Sequence, residues 1–406
     1  MRLKDIANIN PAYTGPDLGD QLVSFAPMEC LRYDSLKPFT ISFSEAKGKY
    51  TFFQDNDILF AKVTPCFENQ NIAIANNLVN GIGFGSSEIN VLRLKSDVSL
   101  RYMFYVICSN QFYNTGCSSM CGVGGLKRIN PRAVSTFEFT MPSLAEQEAI
   151  AAYLDKECEK IGRKIELLER KADAYSRLRR SLINRAVTRG LDPNVSLKPS
   201  GDMWIGDIPQ HWTIKRNKNI LIERKDIVGE NHSFKLLSLT LNGVIIRDLD
   251  AGGKFPAEFS SYKIVSPNNL IFCLFDVDET PRTIGLSSHS GMITGAYDIF
   301  DVNSSIAIPQ WVYYFYLAID QRKALKPFYT GLRKVVKAQK FADIHVPIPS
   351  IKEQKTIVAY LDEKCAKIDA ILEKINTEVE RLKELKRSLI NEVVTGQRAI
   401  DTKSRS

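Results

Sequence analysis

The 406-residue chain is poor in histidine, the side chain that most often serves as general acid and base. Histidine occurs only four times, as His211, His232, His289 and His345, and no H-E-x-x-H sets two of them on one helical face. A zinc protease or a Ser-His-Asp hydrolase is left without its parts. The eight cysteines, at 30, 66, 108, 117, 121, 158, 273 and 365, are too dispersed for a disulfide scaffold. Only Cys117 and Cys121 lie close together, and a zinc site usually needs four ligands, so the thiols read as small buried side chains and no metal is expected. No G-x-x-x-x-G-K-[ST] occurs, which removes the phosphate cradle of a P-loop ATPase. No apolar run is long enough for a membrane span. The opening residues MRLKDIANIN lack the apolar stretch of a signal peptide, so a cytoplasmic location is expected.

What is present begins with 44% hydrophobic residues, enough for two or three domains of ordinary size. The net charge of +8 tilts slightly toward a polyanionic partner. The strongest signal is an internal repeat. Residues 142–161 read PSLAEQEAIAAYLDKECEKI and residues 349–368 read PSIKEQKTIVAYLDEKCAKI, identical at twelve of twenty positions. The same offset of 207 residues aligns LRRSLIN at 178–184 with LKRSLIN at 385–391. An ungapped register over that span implies one uninterrupted element, since a loop would have drifted in length.

That element reads as a long helix of about 42 residues, from Glu146 to Val187 and again from Glu353 to Val394. In the first copy the apolar steps of four and three run through Leu154, Cys158, Ile161, Ile165, Leu168, Ala172, Tyr175, Leu178 and Leu182. In the second they run through Leu361, Cys365, Ile368, Leu372, Ile375, Val379, Leu382, Leu385 and Leu389. Ser143 with Glu146, and Ser350 with Glu353, form S-x-x-E capping boxes. Two helices of equal length with matched seams are expected to pack on each other.

The segments before the helices look related, but weakly. Asp57-Ile58-Leu59-Phe60 matches Asn269-Leu270-Ile271-Phe272, each an apolar strand after a polar turn. Tyr102-Met103-Phe104-Tyr105 and Trp311-Val312-Tyr313-Tyr314 read as buried helix faces. Gly124-Gly125-Leu126-Lys127-Arg128-Ile129 matches Thr330-Gly331-Leu332-Arg333-Lys334-Val335, with Gly125 against Gly331; a rival alignment sets Thr115-Gly116 against Thr330-Gly331. Glycine lets backbone approach a phosphate and adjacent cations neutralise it, so Lys127, Arg128, Arg333, Lys334, Lys337 and Lys340 are candidate DNA contacts.

Three motifs suggest catalysis and fail on context. Asn10-Pro11-Ala12-Tyr13 resembles the N-P-P-Y of adenine methyltransferases but follows only nine residues. Gly81-Ile82-Gly83-Phe84-Gly85 reads as a turn. Glu45-Ala46-Lys47 has only Asp34 as a partner for a metal-dependent nuclease. No catalytic residue and no cofactor is expected.

The doubled P-S-L-x-E-Q-x-x-I-x-x-Y-L-D, with a long helix after each variable domain, resembles the specificity subunit of type I restriction–modification systems. The segment Trp204-Ile205-Gly206-Asp207-Ile208-Pro209-Gln210-His211-Trp212 is similar to the opening of that family's second recognition domain. The resemblance implies two similar globular α/β target-recognition domains, an α+β arrangement with a pseudo-two-fold internal repeat. It places them at 1–141 and 193–348, long helices at 142–192 and 349–398, and a tail at 399–406. The helices would form an antiparallel coiled coil through Leu154, Ile161, Ile165, Leu168, Tyr175, Leu182, Leu361, Ile368, Leu372, Ile375, Leu382 and Leu389. The implied partners are double-stranded DNA with a bipartite site, two methyltransferase (M) subunits and restriction (R) subunits, which supply the chemistry. The competing expectation is a coiled-coil adaptor that binds only proteins.

Overall fold

The computed structural model describes residues 1–95, 97–123, 125–202, 204–230, 234–247 and 259–400. Gly124, His232 and residues 401–406 of the expected tail therefore lie outside the described residues. Two compact units are present, Met1–Glu169 with Asn376–Ser406, and Arg170–Ile375. The boundary cuts both long helices, Leu144–Arg189 of 46 residues and Ile351–Val394 of 44 residues. Each helix starts in the core of one unit and ends in the core of the other.

In the first unit a four-stranded antiparallel sheet runs in the order Ala7–Ile9, Ile89–Leu94, Ile58–Ala61, Ile72–Ile74. Helix Leu100–Cys108 shares its core, with Tyr102, Met103, Phe104 and Tyr105 all buried. In the second unit the strands Leu221–Arg224, Asp298–Val302, Leu270–Phe272 and Ile284–Leu286 repeat that order, all antiparallel. Helix Pro309–Gln321 takes the place of Leu100–Cys108. The polar turns before the matched strands agree in detail. Asn56 and Asn268 both have φ of 70°. Asp57 and Asn269 each accept a backbone N–H three residues upstream, from Gln54 and Ser266.

The first unit has a second sheet, ordered Phe39–Ser42, Leu22–Ala26, Ile82–Gly85, Thr51–Gln54. Here the expected turn at 81–85 is a strand, paired parallel to Leu22–Ala26. Its glycines are required by neighbours across the sheet. A Cβ on Gly83 would stand 2.4 Å from the Phe53 ring, and one on Gly85 2.6 Å from the Ala26 carbonyl oxygen.

The repeated motif docks each helix onto its own domain. Gln147 accepts the N–H of Ser99 and donates to the Pro142 carbonyl; Gln354 does the same with Ile308 and Pro349. The Tyr105 hydroxyl donates to Asp155 at 2.7 Å and that of Tyr314 to Asp362 at 2.5 Å. Burial pushes both phenols well above their ordinary range, and the carboxylate bond adds to it. Leu154 and Leu361 are fully buried, and Cys158 and Cys365 follow one turn on. Both serines cap, accepting from Glu146 and Glu353 N–H at 3.4 and 3.3 Å. The glutamates do not complete the box as expected: the Glu146 carboxylate meets the Ser143 hydroxyl at 3.4 Å, and the Glu353 carboxylate accepts from Trp212 Nε1 and lies 2.9 Å from His211 Nε2.

Within each unit the two helical segments run antiparallel. In the first, Lys164 pairs with Glu378 at 2.9 Å while Leu154 shares a core with Leu389 and Ile390. In the second, Arg179 pairs with Asp369 at 3.1 Å while Ile183 shares a core with Leu361 and Cys365. Of the expected interface, Leu154, Leu361, Ile368, Ile375, Leu382 and Leu389 are buried; Ile161, Ile165, Leu168, Tyr175, Leu182 and Leu372 are half-buried. Leu178 and Leu385 leave the seam, 46% and 51% exposed. The buried set in the last turns moves to Ile183, Ala186, Val187 and to Leu389, Ile390, Val393, Val394. There each helix meets a globular core, which needs a wider apolar face than a two-helix seam.

Candidate nucleic-acid interface

Each unit carries a hairpin just before the last short helix ahead of its long helix. In the first, Cys121–Val123 pairs with Leu126–Arg128, Cys121 opposite Arg128. In the second, Tyr329–Thr330 pairs with Val335–Val336. Gly125 and Gly331 have φ of 85° and 77°, a left-handed conformation that favours glycine, with open space where a Cβ would sit.

Both hairpins are pinned to the sheet by the same backbone bonds. The Thr64 N–H donates to the Lys127 carbonyl at 2.9 Å, and the Asp276 N–H to the Arg333 carbonyl at 2.8 Å. Then Ile129 N–H donates to the Lys62 carbonyl, and Val336 N–H to the Leu274 carbonyl. Lys127 and Arg333 are thus equivalent, and Gly125 matches Gly331. The rival alignment fails because Gly116 lies buried inside helix Asn110–Ser118, where a Cβ would strike the Phe67 ring at 2.4 Å. Between its two anchors the second hairpin holds one residue more than the first, and Lys334 there takes φ of 46°.

The six candidate cations differ in their electrostatic surroundings. Arg128 grips Glu88 with Nε at 2.9 Å and Nη2 at 2.7 Å, which holds that carboxyl below its usual range. Lys334 donates to Glu279 at 2.9 Å, which raises its own pKa, and stands 3.8 Å from Asp278. Arg333 is 4.0 Å from Asp276 and largely exposed. Among the described residues, Lys127, Lys337 and Lys340 are exposed with no carboxylate within 4.0 Å.

The catalytic look-alikes are structural. The Asn10 side chain accepts from Val91 N–H and donates to Asn90, tying a chain turn to the sheet. Tyr13 packs on Phe43 and Phe52. Lys47 pairs with Asp17, and Asp34 with Arg101, so neither completes a metal site with Glu45. His345 lies 2.7 Å from Asp202. Burial pushes the Cys108, Cys158, Cys273 and Cys365 thiols up, which suits packing rather than nucleophilic attack. Among the described residues no three His, Cys, Asp or Glu converge to hold a metal ion. No described helix is long and apolar enough to cross a membrane.

The family model described as type I restriction modification DNA specificity domain matches residues 1–171 and 299–381. The EcoEI specificity subunit of Escherichia coli is 36% identical over 160 residues, 38% of this chain and 27% of that protein. The EcoAI specificity subunit, also of Escherichia coli, is 38% identical over 152 residues, 36% of this chain and 26% of that protein. The match thus spans about a quarter of the length of these relatives. A solved chain, from work on complex assembly and conformational transition of the type I R-M system, superposes with a TM-score of 0.73 at 13% identity, over 98% of this chain and 97% of that one. Two units with one sheet order, each closed by the same helix motif and together matched by that model over more than half the sequence, place the chain in the type I restriction modification DNA specificity family.

Proposed function

We propose that the chain is the DNA-reading, non-catalytic subunit of a type I restriction–modification complex, with one half of a bipartite site read by each unit. The observation that carries this reading is the duplicated sheet, aromatic helix and pinned basic hairpin, one set per unit. Duplication with divergent surfaces suits two different half-sites. The long helices set the unread spacer, and two M subunits dock on them, with R subunits joining afterwards. Matched exposure of Leu178 and Leu385, at the same repeat position, supports two copies of one partner. The reading keeps chemistry in the partners and location in the cytoplasm.

The test is methylome sequencing of a host carrying the partner methyltransferase, with and without this chain, alongside purification of the complex. The expected result is adenine methylation at a split site with a fixed spacer, and two methyltransferase copies per chain. A chain that retains partners but confers no site would be the protein-only adaptor.

A further inference from the structure

Among the exposed apolar side chains, Leu126 and Leu332 repeat at one structural position. Leu126 is 57% exposed and Leu332 fully so. Each follows the left-handed glycine of its hairpin and precedes the residue whose carbonyl anchors that hairpin to the sheet. Val123, also strongly exposed, stands opposite Leu126 across the first ribbon. A single exposed leucine needs no explanation. Two at equivalent tips, held out by pinned backbone and flanked by cations, ask for a surface both apolar and anionic.

A DNA major groove meets that description. It admits a two-stranded β-ribbon, its walls are phosphates, and its floor carries one apolar group, the thymine methyl. The exposed Lys127 beside the first tip, and the exposed Lys337 and Lys340 beyond the second, match the walls. The carboxylates near the second tip, Asp276, Asp278 and Glu279, are engaged with Arg333 and Lys334, which leaves the leucine as its foremost group. We infer that Leu126 and Leu332 are base-reading residues, each set against a thymine methyl in its own half-site. This rests on the DNA-reading function proposed above and adds to it which side chains discriminate sequence rather than hold phosphate.

The test uses the complex with its methyltransferase and the site recovered from the methylome. Leu126→Ala and Leu332→Ala are compared with wild type on specific duplex, on random duplex, and on duplexes whose thymines in one half-site are replaced by uracil. The expected result is a loss of about tenfold on specific DNA for each variant, with random-duplex binding and salt slope unchanged. Uracil in the matching half-site should weaken wild type by a similar factor and the variant no further. An unchanged specific-to-random ratio, equal losses on both duplexes, a half-site with no thymine on either strand, or loss of the methyltransferase instead of DNA would each overturn the inference. If wild type itself preferred no site, the DNA-reading function would fail first, and that outcome is seen before any variant is measured.

Discussion

The foot of each long helix is nearly interchangeable between the two units, whereas the side chains of the sheet and hairpin are not. At the foot, Gln147 and Gln354, and Asp155 and Asp362, make the same hydrogen bonds to equivalent partners, and Leu154 and Leu361 are both fully buried. At the sheet, the positions holding Asp57 and Arg93, an ion pair at 2.7 Å, hold Asn269 and Asp301, a hydrogen bond. In the cores, the places that hold apolar Leu3 and Ile107 in the first unit hold Asn217 and Tyr316, joined by a hydrogen bond, in the second. Backbone anchors persist while the side-chain pairs they carry are exchanged. A docking joint must satisfy one helix geometry twice, which restrains its residues. A sheet needs only that each buried polar group find a partner, and several pairs meet that need.

Removing the central apolar contact of the joint should have the largest effect, and an equal one in both units. Leu154→Ala and Leu361→Ala each empty a fully buried site and should cost about 2–5 kcal/mol. Chemical denaturation would report the loss, and hydrogen exchange in helix Leu100–Cys108 or Pro309–Gln321 would show which unit opens. A cost confined to one of the two variants would break the equivalence of the joints.

The core exchange should cost less and act only in the second unit. Asn217 donates to the Tyr316 hydroxyl and, at 2.8 Å, to the Phe341 carbonyl. Asn217→Leu installs the first unit's residue and leaves both partners unpaired, an expected loss of about 1–3 kcal/mol. Adding Tyr316→Phe should recover part of it, because the second variant removes the orphaned hydroxyl and keeps the ring against Phe272 and Phe341. A double variant no more stable than Asn217→Leu would show that the two positions are not exchanged as a pair.

The features legible in the sequence were those with local causes. An unbroken repeat announces an uninterrupted helix, and the expected spans of about 42 residues fall within the observed 46 and 44. The matched strands and buried aromatic helices were legible because runs of apolar residues after a polar turn are short-range patterns. The strand at Ile82–Gly85 was not, since its glycines answer to Phe53 and Ala26, distant in sequence. Nor was the departure of Leu178 and Leu385, because a heptad count takes the neighbour to be another helix throughout. At the candidate interface, the basic pairs were visible but their partners Glu88, Asp278 and Glu279, 40 and about 55 residues away, were not.

That last gap yields the smallest and most discriminating comparison, between hairpins alike in backbone and unlike in charge. Lys127 has no carboxylate within 4.0 Å among the described residues, so its charge is available to a phosphate. Lys334 is held by Glu279 at 2.9 Å and must give up that partner before it can release a DNA counterion. Lys127→Ala should therefore flatten the dependence of log affinity on log salt by about 0.9 for its lost contact, with little change in base preference. Lys334→Ala should flatten it by less, and Glu279→Gln should steepen it in a chain that keeps Lys334. Affinities measured from low to moderate salt on one duplex decide the matter. Equal flattening by the two lysine variants would mean that the ion pair opens freely on binding. No flattening by either would make both ordinary surface residues and leave the hairpin tips to act through their leucines alone.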